Sequence, residues 1–237
     1  MSFDEAAHNY LISSDHKEGF DLDYCKDFFR DFNFNFLLDI ATGAGHFLKV
    51  FNVKNKIATD ISFNMLKMVK SNDDNIFCVQ NSYENLAFKN SFFDIVTCRI
   101  ALHHFKKPSK FFEEVYRVLK NNGFFVLIDS IVDIEDAYLN VIEFIRDNTH
   151  FRSYTFKEIV EFINGKFRLL NYQLQFKKHD FKEWATRLND DEDYFNKIKE
   201  AFLSLPENIK DALALEINQG EILSYTDKKG IFIFQKL

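Results

Sequence analysis

The stretch Leu37-Leu38-Asp39-Ile40-Ala41-Thr42-Gly43-Ala44-Gly45-His46-Phe47 carries the strongest indication of how this chain folds. The 237 residues include only seven glycines, so two within one short stretch indicate a turn whose backbone comes close to a ligand. The apolar run Phe36–Ile40 predicts a buried strand, and His46–Phe51 predicts the start of a helix. A strand, a glycine turn and a helix in this order predict a site for the polar part of a nucleotide-like cofactor.

A second acidic residue supports the same site. Asp60 ends the strand-like run Lys56–Asp60 and comes 21 residues after Asp39. In nucleotide-binding folds of this kind, a carboxylate at the end of the second strand accepts hydrogen bonds from the ribose hydroxyls. We therefore expect Asp60 to face the ribose of a bound cofactor.

Strand-like apolar runs and helical patterns alternate through the first half of the chain. Repeated β–α–β units predict an α/β fold with a doubly wound, mostly parallel sheet. Ser62 is placed to cap a helix, with Met65, Leu66 and Val69 on one face. The other predicted elements are strands at 36–41, 56–60, 75–80, 92–100 and 124–129, a helix at 45–52, and a helix at 108–120 that ends at Asn121-Asn122-Gly123.

The second half departs from this alternation. We expect a helix at 134–148, and Thr155 and Asp180 each begin a capping box that opens a helix. Helices then fill 180–218, with Pro206 near the first turn of the last one, and strands form at 166–176 and 230–235. The sequence predicts one domain over 1–237, with an N-terminal helical cap at 1–33, a cofactor-binding core at 36–129, and helical lid segments for the substrate at 130–165 and 180–220.

Composition limits the classes of function. The formal net charge of −6 argues against a nucleic-acid-binding surface. No apolar stretch reaches the roughly 18–20 residues that span a bilayer. The three cysteines, Cys25, Cys78 and Cys98, have no CxxC spacing, which favours neither a disulfide framework nor a zinc site. We expect a cytoplasmic protein with no membrane span and no metal site.

Five segments in a fixed order carry a resemblance to a known family. The chain resembles the class I S-adenosylmethionine-dependent methyltransferases, and among them the small-molecule branch that includes ubiquinone and menaquinone C-methyltransferase-like proteins. The resemblance is strong over 39–129 and weaker outside that range. The segments are Leu38–His46, Asp60–Leu66, Asn81–Phe88, Phe93–Phe105 and Glu114–Gly123.

The resemblance implies a Rossmann-like methyltransferase fold with seven strands, S-adenosylmethionine as methyl donor and S-adenosylhomocysteine as product. Asp39 then orients the turn or meets the ammonium of the cofactor tail, and we favour an ion pair for Arg99 over contact with an anionic acceptor. A weaker match assigns Tyr10, Ser13 or Ser14, and His16 to an N-terminal capping segment. The implied cofactor contacts are Asp39, Ala41, Thr42, Gly43, Ala44, Gly45, Asp60, Ile61, Met65, Asn81, Ser82, Tyr83, Arg99, Tyr10 and His16.

One position departs from the family pattern. Asn81 stands where relatives usually carry an aspartate at the start of the adenine-side loop. An amide both donates and accepts hydrogen bonds, so we expect contact with the adenine amino group to survive the change.

The chemistry implied by the resemblance asks the protein mainly to align its reactants. Alignment of donor and acceptor in a dry pocket lowers a barrier by up to about 7–11 kcal/mol, and a general base adds roughly 10²–10⁴-fold in rate. The adjacent pair His103 and His104 follows the fourth predicted strand and is the candidate base or substrate contact. The alternative is a structural strand end, with one ring packed and one solvated.

The lid segments are rich in aromatic residues, which predict a small, apolar or aromatic methyl acceptor. The alternative is that these residues anchor the lid helices to the sheet. The protein is expected to be a monomer or a homodimer. The residues are Tyr138, Phe144, Phe151, Tyr154, Phe181, Trp184 and Tyr194.

Two other functions remain open at this level. A nicotinamide-dependent oxidoreductase shares the topology, but Leu48 occupies the third glycine position of a dinucleotide fingerprint. A non-catalytic cofactor-binding protein stays possible because the sequence has no compelling acid/base set. The two prolines, Pro108 and Pro206, allow no Asn/Asp-Pro-Pro-aromatic motif, which argues against methylation of nucleic-acid amino groups.

Overall fold

The computed structural model describes residues 19–237. Its first helix, α1, spans Phe20–Phe28 and falls within the predicted N-terminal cap. The predicted contacts of Tyr10, Ser13, Ser14 and His16 lie outside the described residues.

The strands form one mixed sheet. They are β1 (Phe34–Ile40), β2 (Val53–Asp60), β3 (Phe77–Gln80), β4 (Phe93–Arg99), β5 (Leu119–Ile131), β6 (Phe167–Asp180), β7 (Glu216–Asn218) and β8 (Glu221–Lys236). Their order is β3-β2-β1-β4-β5-β8-β6, and β7 pairs with β8 outside this path. The first five strands run parallel, whereas β8 is antiparallel to β5 and β6. The predicted mostly parallel sheet of seven strands is confirmed, with β7 as an addition.

Helices cover both faces of this sheet. Neighbouring residues of a strand point to opposite faces, and in β5 Phe125 and Val126 belong to apolar clusters on opposite sides. The strands buried on both faces are accordingly almost wholly apolar. The remaining helices are α2 (Phe63–Asn72), α3 (Pro108–Val118), α4 (Leu139–Arg146), α5 (Phe156–Ile163), α6 (Phe181–Thr186), α7 (Glu192–Leu203) and α8 (Glu207–Ala212).

A third apolar cluster lies where α4, α6, α7 and α8 meet β8. Phe181, Trp184 and Tyr225 are buried in it, and the Trp184 ring packs edge-on against Tyr225 with 5.0 Å between centroids. These contacts hold the helices of the second half against the end of the sheet. Phe181 and Trp184 therefore act as anchors of these helices.

The segment after the glycine turn differs from the prediction. The predicted helix at 45–52 is only a single 3₁₀ turn at Phe47–Lys49, because β2 already begins at Val53 and leaves too few residues for a stable α-helix. The predicted helix end at Asn121-Asn122-Gly123 is also wrong. α3 ends at Val118, and these residues form an irregular part of β5, in which Asn122 has a φ of 60°.

The second half contains shorter helices and longer strands than predicted. A turn in which the Asp133 amide donates to the Asp136 carboxylate replaces the first part of the expected helix at 134–148. The expected helical region 180–218 is divided by the N-caps Asp191 and Pro206 and ends in β7. Asp180 caps α6 by accepting from the Glu183 amide, which is half of the predicted capping box.

The capping box at Thr155 gives a direct test of a local sequence rule. Thr155 accepts from the Glu158 amide at 3.2 Å, and the Glu158 carboxylate accepts from the Thr155 amide at 2.9 Å. We expect Thr155→Ala to lower the free energy of unfolding by about 1 kcal/mol, because the Glu158 amide loses the hydroxyl that accepts its hydrogen bond and the capping box is broken. Urea denaturation measures this change. Thr186→Ala, at an exposed helix end, is the matched control and should change stability far less; equal losses would contradict the assignment.

Candidate active site

The turn after β1 has a backbone that few side chains tolerate. Ala41, Gly43 and Gly45 have φ values of 53°, 53° and 78°. A Cβ at Gly45 would lie 3.0 Å from a methyl carbon of Val69, so glycine there allows the turn to pack on α2. A Cβ at Gly43 would meet nothing within 4 Å. Gly43 thus leaves open space beside its backbone at the carboxyl end of the sheet.

Asp39, near the end of β1, orients this turn through hydrogen bonds from two hydroxyl groups. Its carboxylate accepts from the Thr42 hydroxyl and the Thr97 hydroxyl, both at 2.6 Å. Burial raises the pKa of Asp39 to about 6, although the two hydroxyl donors act in the opposite direction. Both oxygens are engaged inside the protein, which favours the predicted role of Asp39 in orienting the turn.

Asp60 joins the end of β2 to the turn. One carboxylate oxygen accepts from the Gly43 amide and the other from the Ser62 amide, each at 2.9 Å. The Ser62 hydroxyl in turn accepts from the Met65 amide at 3.2 Å and caps α2, as predicted. A carboxylate oxygen can accept more than one hydrogen bond.

These residues surround a cavity of about 230 Å³ at the carboxyl ends of β1, β2 and β4, which we call the first cavity. Ligands of open α/β sheets bind at this position, where the strand order reverses. Of the predicted site residues within 19–237, Gly45 and His103 do not line it. The lining residues are Asp39, Ile40, Ala41, Thr42, Gly43, Ala44, His46, Phe47, Asp60, Ile61, Met65, Asn81, Ser82, Tyr83, Arg99, Ile100, Ala101, His104 and Phe105.

Six residues that line the first cavity were not predicted from the sequence, namely Ile40, His46, Phe47, Ile100, Ala101 and Phe105. Phe105 stacks on Tyr83 with 3.8 Å between ring centroids, and Ile100 reaches the cavity with a φ of 53°. A β-branched residue rarely adopts positive φ, and such strain concentrates at functional positions. The stacking had no sequence signal, since the two rings come from distant segments.

The loop after β3 is held by internal bonds. Asn81 accepts from the Ala87 amide at 2.9 Å and donates to the Asn85 carbonyl at 3.0 Å. Arg117 of α3 donates to the Leu86 carbonyl at 2.8 Å and the Phe88 carbonyl at 2.6 Å. The Asn81 side chain therefore fixes the loop first, and only its remaining capacity can reach a ligand.

His103 forms a buried pair with Asp129 of β5. Its Nδ1 lies 2.6 Å from one Asp129 oxygen, which also accepts from the Ser130 amide at 2.7 Å. The other oxygen accepts from the Ala101 amide at 3.1 Å and the His103 amide at 3.3 Å. This arrangement fixes the ring and leaves Nε2 as the nitrogen that does not face Asp129.

Three imidazole rings lie together at this point. His103 is 4.1 Å from His104 and 5.1 Å from His150, measured between ring centroids. Burial alone would lower the pKa of His103, but the Asp129 carboxylate raises it above its ordinary value. Burial and the nearby His103 lower the pKa of His104 to about 3 and that of His150 to about 4. His103 is therefore the member of the group that binds a proton most readily.

A second cavity, of about 80 Å³, adjoins the first. Ile100 and His104 line both. The wall of the second cavity is largely polar and charged. It is formed by Ile100, His103, His104, Ser130, Glu143, Arg146, Asp147, His150, Lys177, His179, Trp184, Arg187, Leu188, Asp227 and Lys229.

Comparison with known proteins agrees with this geometry. The family model described as "Methyltransferase domain" matches residues 38–127, which include the turn, Asp60 and His103. The chain is 35% identical over 132 residues to the uncharacterized methyltransferase YcgJ of Bacillus subtilis, an alignment that covers 52% of this chain and 52% of that protein.

Two solved structures extend the likeness to nearly the whole chain. A putative methyltransferase from Bacillus halodurans is 27% identical with a TM-score of 0.86, covering 92% of this chain and 99% of that one. The YcgJ structure is 26% identical with a TM-score of 0.83, covering 91% and 97%. Together these likenesses support a class I S-adenosylmethionine-dependent methyltransferase.

Arg99 forms an ion pair with an acidic neighbour, which is the arrangement that we favoured from the sequence. Its Nε donates to Asp21 of α1 at 2.7 Å, and both side chains are buried. Burial opposes ionisation of Asp21, but Arg99 and Lys229 lower the pKa of this carboxyl below its ordinary value. Arg99 thus connects α1 to the wall of the first cavity.

Two further findings, on metal sites and on membrane-spanning helices, concern residues 19–237. That part of the chain contains no group of three or more His, Cys, Asp or Glu side chains placed to hold a metal ion. It also contains no helix that is long and apolar enough to cross a membrane. Cys98 is buried in β4, and burial raises the pKa of its thiol, in agreement with a packing role.

The surroundings of the three histidines predict that they titrate at different pH values. NMR signals of His103 should shift at a pH above the ordinary value for histidine, whereas His104 and His150 should shift only as the pH falls to about 4. Asp129→Asn should lower the pKa of His103, because the neutral amide no longer favours the imidazolium. Asp133→Asn, at an exposed position, is the control. Three rings titrating together near the ordinary value would contradict this account.

Proposed function

We propose that the protein transfers a methyl group from S-adenosylmethionine to a small-molecule acceptor. The observation that carries the proposal is the position of the Asp60 carboxylate. It accepts a hydrogen bond from the Gly43 amide in the glycine turn and lines the first cavity. It lies within the residues matched by the methyltransferase family. A sulfonium nucleoside needs this combination of a close backbone and an acceptor for two ribose hydroxyls.

The chemistry of the cavity wall fits that ligand. Asp60 places a carboxylate in the wall, Gly43 leaves space beside its backbone, and Ile61 and Tyr83 offer apolar surface to a base. When bound, the donor supplies a methyl group whose bond to the acceptor forms as its bond to sulfur breaks, and the electron pair stays on sulfur in S-adenosylhomocysteine. We assign the contacts to Asp39, Ala41, Thr42, Gly43, Ala44, Gly45, Asp60, Ile61, Met65, Asn81, Ser82, Tyr83 and Arg99.

Gly45 has an indirect part in this assignment, because it does not line the first cavity. Its φ of 78° and its close approach to Val69 hold the turn against α2. Gly45 therefore shapes the site through the backbone. The contacts of Tyr10 and His16 stay predictions.

His103 is the favoured general base of the sequence-predicted histidine pair. Asp129 orients its ring, and the ring lines the second cavity, which adjoins the cavity assigned to the donor. His104 is the weaker candidate, because its Nδ1 lies 3.0 Å from the Thr149 carbonyl and its low pKa makes it a poor proton acceptor. In this proposal Asp129 is a positioning residue that also stabilises the charged ring.

The alternatives find less support. Leu48, at the third position of a dinucleotide fingerprint, is fully buried in the core and leaves no backbone approach for a pyrophosphate. A cofactor-binding protein without catalysis would have no use for the His103–Asp129 pair beside the cavity. A cytoplasmic location, the absence of a nucleic-acid partner, and a monomer or homodimer stay predictions.

Cofactor binding is tested by calorimetry with S-adenosylhomocysteine. We expect Asp60→Asn to weaken binding by about tenfold or more, because hydrogen bonds to a charged acceptor contribute roughly 1.5–3 kcal/mol and the amide also disturbs the Gly43 contact. Asp74→Asn, on a side chain that is 92% exposed, is the matched control. Absence of binding to the unaltered protein would refute the proposed function.

The role of His103 is tested by turnover. Acceptors are screened by formation of S-adenosylhomocysteine, and His103→Gln should then reduce kcat by roughly 10²–10⁴-fold while leaving cofactor affinity unchanged. The rate should rise with pH through the raised pKa of His103, since the neutral ring is the base. Asp129→Asn should move this rise to lower pH. A His104→Gln variant that loses as much activity, with an unchanged pH profile in Asp129→Asn, would reverse the assignment.

A further inference from the structure

The second cavity differs in character from the acceptor site expected from the sequence. The aromatic lid residues predicted an apolar or aromatic acceptor, yet Trp184 alone among the seven lines either cavity. Phe181 and Tyr154 are buried in the core, whereas Tyr138, Phe144 and Phe151 are half or more exposed on the surface. The wall of the second cavity instead carries charges of both signs.

Two of these charges come from the same face of β8. Asp227 and Lys229 are two residues apart, so their side chains leave the strand on the same side, about 6.6 Å apart along it. Asp227 is 8% exposed and Lys229 is 6% exposed. Opposite charges are thus held side by side at more than nine-tenths burial.

Asp227 retains an unsatisfied acceptor. His179 Nε2 lies 3.1 Å from one of its oxygens, Oδ2. The other oxygen, Oδ1, is buried and has no hydrogen-bond partner within residues 19–237. Leaving a buried carboxylate oxygen unpaired is costly, and a ligand N–H group would satisfy it.

Lys229 retains unused donors. Its Nζ lies 3.6 Å from Asp21 Oδ2, an oxygen to which the Arg99 guanidinium already donates at 2.7 Å. Its side chain makes no hydrogen bond inside the described part of the chain. Burial lowers the pKa of Lys229, and Asp21 partly offsets this change. A ligand carboxylate would accept the hydrogen bonds that Asp21, at 3.6 Å, does not accept from the ammonium.

We propose that the second cavity binds the methyl acceptor as a small zwitterion of the amino-acid class, with its ammonium on Asp227 and its carboxylate on Lys229. This inference rests on the proposed function, because Ile100 and His104 connect this cavity to the one assigned to the donor. The acceptor would then lie beside His103, the base assigned above.

The remaining charges around the cavity agree with a ligand of both signs. Arg146 and Glu143 form a pair at 2.8 Å on α4. Asp147 and His150 follow that helix, and Lys177 and Arg187 complete the wall from β6 and the end of α6. A purely cationic or purely anionic ligand would meet like charges in this wall, whereas a zwitterion can orient each end towards an opposite charge.

The test uses alanine and the two fragments that each lack one of its charged groups. Alanine carries both charges, propionate lacks the amine, and ethylamine lacks the carboxylate. Binding is measured by saturation-transfer NMR on the full chain, with and without saturating S-adenosylhomocysteine. We expect alanine to bind at least about tenfold more tightly than either fragment, the change expected for one charged hydrogen bond.

Variants separate the two contacts. Asp227→Asn should weaken alanine by about tenfold and leave propionate unchanged, and Lys229→Met should weaken alanine and leave ethylamine unchanged. The controls are Asp74→Asn and Lys54→Met, at exposed positions. Circular dichroism checks folding, and the comparison of the three probes on the unaltered chain decides the question if a variant does not fold.

Several outcomes would overturn the inference. They are equal binding of the three probes, no binding of alanine, or unchanged alanine affinity in both variants. Loss of S-adenosylhomocysteine affinity in Lys229→Met, with alanine unaffected, would give this lysine to the cofactor instead. Failure of S-adenosylhomocysteine to bind the unaltered chain would refute the proposed function separately, because the probes are also measured without it.

Discussion

The site depends on one carboxylate that bonds to two backbone amides. Asp60 accepts from Gly43 in the turn after β1 and from Ser62 at the start of α2. These two bonds connect adjacent parallel strands at the edge where they end, and they fix the φ-positive turn without any side chain of its own. The two amides stabilise a carboxylate that is only 8% exposed and that lines the first cavity.

Most of the core could be predicted because its determinants are local. The apolar runs of β1, β4 and β5 are nearly continuous, Ser62 caps α2, and the Thr155 box opens α5. The turn at Gly43 and the acid at Asp60 stand at fixed positions relative to the strands, so their meeting follows from parallel pairing. Local pattern therefore gave the sheet, the cofactor cavity and most of its wall.

The other features depend on contacts between distant segments. Asp129 meets His103 across 26 residues, and Asp21 meets Arg99 across 78. β6 and β8 extend into the charged stretches 177–180 and 221–229, where no apolar alternation marks a strand. The aromatic lid residues pointed to an apolar pocket, but three of them are exposed on the surface and Phe181 fills the core between helices. Amino-acid composition alone could not show which of these aromatic residues lie on the surface and which pack in the core.

The buried pair between Asp21 and Arg99 connects the first described helix to a residue of the cavity wall. Arg99 contacts the helix and lines the space assigned to the donor, so docking of α1 and occupancy of that space are linked equilibria. Any effect of occupancy on docking is matched by an equal effect of docking on occupancy. The amino-terminal helix can therefore serve as a reporter of occupancy as well as a structural support.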